Sequence, residues 1–151
     1  MRSISEKLFL LMLLFPTLSF AVTLDEMFLH FRKCEFSDFY YAPWDTSQPI
    51  KPYFSERKLT PYDDKDGLYY FDIKDSLFGV PVSRLVVPGT SQFVAVVFDA
   101  PLNKVHAVLK RRFHTNFVDF AHIVAGKPVL DKYDDGVTGK SVLYCDLREF
   151  D

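Results

Sequence analysis

Residues that could perform catalysis are present in this chain, but no catalytic motif organises them. A Gly-x-Ser-x-Gly turn, which presents the nucleophile of many hydrolases, does not occur. The acid–base candidates are His106, His114 and His122. Because a triad dispersed along the chain has no sequence signature, a small envelope hydrolase stays an alternative, and we favour a non-enzymatic protein.

Candidate metal and cofactor motifs each fail at a required position. A helical metal pair needs two histidines four residues apart, and no pair has this spacing. Two acidic turns resemble calcium loops in composition, but Tyr62 and Tyr133 stand where ligands are required. Polar turns explain both, with weak surface calcium binding as the alternative. Segment 136–141 ends like a phosphate-binding loop, but Asp134 replaces its first glycine, so we expect no metal and no cofactor.

The chain has two cysteines, Cys34 and Cys145. Two thiols in an exported chain usually pair. We therefore predict a disulfide that ties the first helix to the last strand. Two free, buried thiols are the alternative.

The start of the chain has the three-part layout of a secretory signal peptide. Arg2 and Lys7 supply a positive start, residues 8–20 are almost wholly apolar, and small residues stand at the two cleavage-site positions. The apolar run is shorter than a membrane span, which needs about 20 residues. The sequence therefore predicts a cleavable signal peptide at 1–21 and one exported domain at 22–151. An uncleaved anchor is the alternative.

The composition of the predicted mature domain is that of a folded, weakly acidic protein. Removing residues 1–21 takes away Arg2, Lys7 and Glu6, which changes the formal charge from −2 to −3. This balance gives no reason to expect nucleic acid, which selects a clustered basic surface. Trp44, eight tyrosines and many phenylalanines supply apolar surface for a core, so disorder is not expected.

Hydrophobic periodicity predicts the element order α-β-β-β-α-β. Thr23 and Glu26 form a capping box that starts the first helix. Prolines punctuate residues 43–61, where we expect no regular structure. The predicted class is α+β, an antiparallel sheet of about four strands with two helices packed on one face and one disulfide. The predicted elements are a helix at 23–33, strands at 68–73, 80–87, 93–98 and 140–147, a helix capped by Asp99 that reaches Phe113, a polar turn at 63–67 and a mixed segment at 114–139.

An aromatic cluster leads into the proline-stiffened segment. Consecutive aromatic residues at positions 39–41 cannot all face a core. Exposed rings offer a partner a large, rigid contact area at low entropic cost. We therefore select Tyr40, Trp44 and Tyr53 as candidate binding residues. The alternative is that Phe36, Phe39 and Tyr41 pack on the sheet while Trp44 closes one edge of the core.

A small basic patch lies on the predicted second helix. It consists of Lys110, Arg111 and Arg112, with Lys104 one or two turns earlier. A solvated helix face is the ordinary explanation. Binding of an acidic partner or of anionic lipid headgroups is the alternative.

These observations favour a small exported, non-enzymatic domain that binds another protein through the aromatic, proline-rich segment from about Tyr40 to Tyr53, in the manner of an inhibitor or an immunity protein. The expected compartment is the periplasm, with the extracellular space as the alternative. A small envelope hydrolase and a glycan-binding module are the two other functions that the sequence allows.

Overall fold

A computed structural model of the protein describes residues 21–35, 38–114, 126–134, 136 and 139–147. The predicted signal peptide lies outside the described residues, except for Ala21. Within the described residues, the chain forms one antiparallel sheet with helices alongside it and one disulfide, which confirms the predicted α+β class.

The described part of the chain contains six strands rather than the four predicted. They are β1 (Asp63–Lys65), β2 (Leu68–Leu77), β3 (Val80–Pro88), β4 (Phe93–Phe98), β5 (Val129–Lys132) and β6 (Ser141–Asp146), in the spatial order β1-β2-β3-β4-β6-β5. The sequence missed β1 and β5. All residues of β1 are exposed and β5 has four residues, so neither shows a readable apolar alternation. The predicted polar turn at 63–67 is therefore too long, because only Asp66 and Gly67 form the turn between β1 and β2.

The hairpin between β2 and β3 is longer than the sequence predicts. The ladder continues past an irregularity between Asp72 and Asp75. Phe78 and Gly79 then close the hairpin with φ values of 50° and 78°. Two residues with positive φ are what a type I′ turn needs, and this turn matches the twist of the strands that it joins.

The described helices are α1 (Leu24–Met27), α2 (Pro52–Glu56) and α3 (Leu102–Phe113), with a 3₁₀ turn at Phe31–Lys33. The predicted continuous helix at 23–33 is therefore wrong, although its capping box is present. Phe28, Phe31 and Cys34 are all buried and lie three residues apart. An α-helix and a 3₁₀ turn both bring residues three apart to the same side, so this apolar row did not reveal the break in the helix.

Two details near the other helices differ from the prediction. α2 lies inside the segment where no regular structure was expected, because Pro52 occupies its first turn, where proline is tolerated. The expected cap of α3 by Asp99 is wrong, since the N-cap residue is Pro101. The backbone N–H of Asp99 instead donates to the Pro81 carbonyl, which keeps this residue with the sheet.

A single large core joins the helices to one face of the sheet, and the disulfide crosses it. The predicted bond between Cys34 and Cys145 is confirmed, and it links the 3₁₀ turn to β6. Both half-cystines are buried. β4 lies between β3 and β6, and its residues from Val94 to Phe98 are buried, as expected of the central strand.

The longest described helix, α3, has 12 residues. Within the described ranges, no helix is long and apolar enough to cross a bilayer.

Candidate functional site

The aromatic segment is fixed to the sheet by its buried members. The backbone N–H of Tyr41 donates to the Pro88 carbonyl over 3.0 Å. The Tyr41 ring packs edge-on against Phe54, Tyr69 and Phe71, with centroid distances between 4.9 and 5.5 Å. Tyr41 therefore anchors the segment at the end of the sheet where β2 begins and β3 ends.

Trp44 lies on this anchored segment with half of its surface in solvent. Its ring is 53% exposed and stacks on Tyr69, with centroids 5.8 Å apart and an interplanar angle of 26°. Gly89 provides the space for this stack, because a Cβ atom there would come within 2.6 Å of both rings. The exposed indole is therefore held in one position by its neighbours.

Further apolar side chains are exposed on the same segment, which we call the aromatic loop (residues 40–50). Tyr40 is 39% exposed and Ile50 is 36% exposed. Between them, Asp45 accepts hydrogen bonds from the side chain and the backbone N–H of Ser47. These bonds, the side-chain bond first, lower the pKa of the Asp45 carboxyl. The loop thus combines exposed apolar groups with a local turn that restricts its backbone.

The third residue selected from the sequence, Tyr53, lies in the core. It is 1% exposed, and its hydroxyl donates to Asp75 over 2.8 Å. The Arg57 guanidinium lies over its ring at 4.2 Å from the centroid. Burial, and next the bond to Asp75, raise the pKa of the Tyr53 hydroxyl. Tyr53 therefore attaches α2 to the core. Of the three selected residues, only Tyr40 and Trp44 are exposed.

The sheet face opposite the main core carries a second surface that the sequence did not indicate. A groove of about 510 Å³ crosses this face. Its aromatic lining includes two ring pairs, Tyr62 with Tyr70 and Phe93 with Tyr144. We call this surface the sheet groove. The available signal in the sequence was Tyr70 in β2 and Tyr144 in β6. Both residues lie at positions that face away from the main core, where polar residues were expected to face solvent.

Arg84 supplies a fixed positive charge in the sheet groove, which Lys65 also lines. Its Nη1 atom donates to the Tyr133 hydroxyl over 2.7 Å, and its Nη2 atom lies 3.2 Å from Asp72. The guanidinium lies 5.2 Å from the Tyr62 ring centroid. Partial burial by itself lowers the pKa of Arg84. The hydrogen bonds to Tyr133 and Asp72 have the larger combined effect, so the pKa of Arg84 is raised. The guanidinium is thus charged and fixed in position.

The hydrolase alternative receives no geometric support from the described residues. Among these residues, no hydrogen bond or ion pair joins the side chain of His106 or His114 to a serine or a carboxylate. The third candidate, His122, lies outside the described residues. No group of three metal-ligating side chains occurs in the part of the chain that the structure describes. The expectation of no metal and no cofactor stays a prediction.

Comparison of this chain with protein-family models, with curated proteins and with solved structures finds no match. The class that the fold defines is an α+β domain with a six-stranded antiparallel sheet and one disulfide. A function has to be argued from the surfaces themselves.

Proposed function

We propose that this protein is an exported, non-enzymatic domain that binds another protein through its aromatic loop, with Trp44 at the centre of the contact. The observation that carries the proposal is the position of Trp44, which is 53% exposed and yet stacked on Tyr69. Tyr40 and Ile50 extend the exposed apolar surface on the same loop. The disulfide suits an oxidising compartment, and export to the periplasm is part of the proposal.

Binding through the aromatic loop requires little additional ordering of its side chains. Tryptophan and tyrosine are the residues most often found at the energetic centre of protein interfaces. Fixing a mobile side chain in an interface costs about 0.5–1.5 kcal/mol. Tyr69 and the space at Gly89 already hold the Trp44 ring, so much of this ordering precedes binding. A partner therefore gains contact area without restricting a mobile loop.

The experiment is capture of an envelope protein by the immobilised, oxidised protein, followed by affinity measurement with the purified partner. Two single variants are compared, Trp44→Ala and Tyr62→Ala. They form a matched pair, because the two rings are 53% and 51% exposed and lie on different surfaces. We expect Trp44→Ala to weaken binding at least about 30-fold, and Tyr62→Ala to leave it almost unchanged.

The proposal is contradicted if folded Trp44→Ala protein binds as tightly as the wild type, or if no stoichiometric partner is captured. Circular dichroism establishes that each variant is folded. Loss of binding in Tyr62→Ala alone would move the contact to the sheet groove.

A further variant tests the geometry of Trp44 without removing the indole. Gly89→Ala places a methyl group within 2.6 Å of the Trp44 and Tyr69 rings, so one of them has to move. Since Trp44 is the only tryptophan of the chain, its fluorescence reports this movement directly. We expect a changed emission maximum and weaker partner binding in a folded protein. Unchanged affinity in a variant with a shifted emission maximum would show that the stacked position is not what the partner recognises.

Glycan binding by the sheet groove is the second candidate function, and its geometry favours a ligand of moderate size. The volume of about 510 Å³ lies within the usual range of small-molecule sites. Flat rings beside a fixed Arg84 match the general pattern of such sites, with mostly apolar walls and a few oriented polar groups. Binding to an oligosaccharide array that Tyr62→Ala abolishes and Trp44→Ala preserves would favour this function over the first.

A further inference from the structure

A positively charged groove lies where the 3₁₀ turn meets the end of α3. Its volume is about 250 Å³. Five of its lining residues can carry positive charge, and none carries a carboxylate. We call it the basic groove, and these five residues are His30, Arg32, Lys33, Arg112 and His114.

The two halves of the basic groove come from distant parts of the chain. Arg32 and Lys33 belong to the 3₁₀ turn, and Arg112 belongs to the last turn of α3. The turn is covalently tied to β6 through the bond between Cys34 and Cys145. The tertiary structure thus places two cations of the 3₁₀ turn beside Arg112, which gives three lysines and arginines in the lining of the groove.

Within the described residues, carboxylates do not neutralise these cations. No carboxylate of the described residues forms an ion pair with Arg32, Lys33 or Arg112. The Arg112 guanidinium lies 5.2 Å from the Phe78 ring centroid, a contact that orients it and leaves its charge in place. The concentration of positive charge is local, since the whole chain has a formal charge of −2.

Cations at the ends of helices also have a local explanation, which accounts for only part of this arrangement. The dipole of a helix favours positive charge within its last turn. This effect explains Arg112 at the end of α3. It does not explain why a second basic segment is held beside that helix end, nor why an exposed apolar residue lies among the charges.

That apolar residue is Leu29, which lines the basic groove and is 46% exposed. A lysine or arginine near an anionic lipid surface strengthens binding about fivefold, and the basic groove presents three of them together. An apolar side chain among them can enter the interfacial region of a bilayer. We propose that the basic groove docks this protein on the surface of an anionic lipid bilayer, with its cations at the lipid phosphates and Leu29 in the interface.

The test is cosedimentation of the oxidised protein with two kinds of vesicle. One kind is phosphatidylcholine alone, and in the other about a third of the lipid is the anionic phosphatidylglycerol. The N-terminus of the purified chain is read by mass spectrometry, so that all samples carry the same start. The test variant is Arg32→Gln/Lys33→Gln. The control variant is Lys65→Gln/Lys74→Gln, which removes the same charge from exposed positions on β1 and β2.

We expect binding to the anionic vesicles and not to the neutral ones, and loss of that binding in high salt. The test variant should bind about 30-fold more weakly, and the control variant should bind within about threefold of the wild type. Leu29→Gln should weaken binding at unchanged net charge. Circular dichroism establishes that the variants are folded.

Three results would overturn the proposal. Equal binding to neutral and anionic vesicles would assign any attachment to apolar contact. Equal losses in the test and control variants would assign it to net charge rather than to the groove. Full competition by soluble glycerol phosphate, at a concentration equal to that of the lipid phosphate, would make the groove a site for a small phosphate ester instead of a bilayer.

Discussion

Removal of the disulfide should strongly destabilise this fold, and the size of the effect can be worked out from its position. The bond joins residues 111 positions apart, Cys34 and Cys145. On the chain-entropy model, a loop of this length restricts the unfolded chain by about 5 kcal/mol at 25 °C. Measured losses are usually smaller, between about 2 and 5 kcal/mol. Since small domains have total stabilities of about 5–15 kcal/mol, the loss is a large fraction of the total.

The perturbation is applied in two forms that separate the covalent bond from the packing. Reduction by dithiothreitol breaks the bond and leaves both sulfur atoms in the core. The variant Cys34→Ala/Cys145→Ala breaks it and removes the sulfurs as well. Alanine is a fair replacement at Cys34, whose φ of 53° is equally unfavourable for both side chains. Glycine would relieve that conformation and thereby mix two effects.

The assay is urea unfolding followed by far-ultraviolet circular dichroism for the oxidised, reduced and double-alanine proteins. We expect the reduced protein to lose about 2–5 kcal/mol, and the alanine variant to lose somewhat more because both positions are buried. A loss of less than about 1 kcal/mol on reduction would refute the reasoning. It would mean that residual contacts already restrict the unfolded chain, or that the bond strains the folded one.

The buried hydroxyl of Tyr53 and the capping box of α1 give two further expectations. Tyr53→Phe removes the bond to the partly exposed Asp75 and should cost about 1–2 kcal/mol in urea unfolding, whereas Tyr62→Phe, on an exposed ring, should be nearly neutral. Hydrogen bonds from the Thr23 backbone, and next from its hydroxyl, lower the pKa of Glu26, so its stabilising effect is present above the ordinary carboxyl range and is lost as the pH falls through the folded-state pKa. Unfolding curves of Glu26→Ala and the wild type should therefore differ at neutral pH and converge in acid; a gap that does not change with pH would contradict this cause.

The three surfaces differ in how their residues come together. The aromatic loop is contiguous in sequence, so its exposed residues could be proposed from the order of residues alone. The basic groove joins the 3₁₀ turn to the end of α3, and the sheet groove collects side chains from several strands. Neither could be proposed before the tertiary structure was known, because their residues are distant in the chain.

Tyr53 shows why the sequence could not complete the aromatic site. Its surroundings in the chain, between prolines and near Trp44, are those of an exposed loop residue. The structure forms a short helix there, α2, which turns both Tyr53 and Phe54 into the core. Asp75, 22 residues away, accepts the hydroxyl hydrogen bond that makes this burial favourable. No local pattern contains that partner.

The sequence by itself determined the class of fold, the central strand and the disulfide. Apolar runs such as Phe93–Phe98 are long enough to specify a strand, and two cysteines allow one pairing. Tertiary structure decided what local signals are too weak to fix. It formed the exposed β1 through pairing with β2, and it ended the first helix at Met27 and followed it with a 3₁₀ turn, from which Phe31 and Cys34 reach the core. Burial and pairing with distant residues are worth more than the small propensities that a local pattern expresses, so the functional surfaces follow from the assembled sheet.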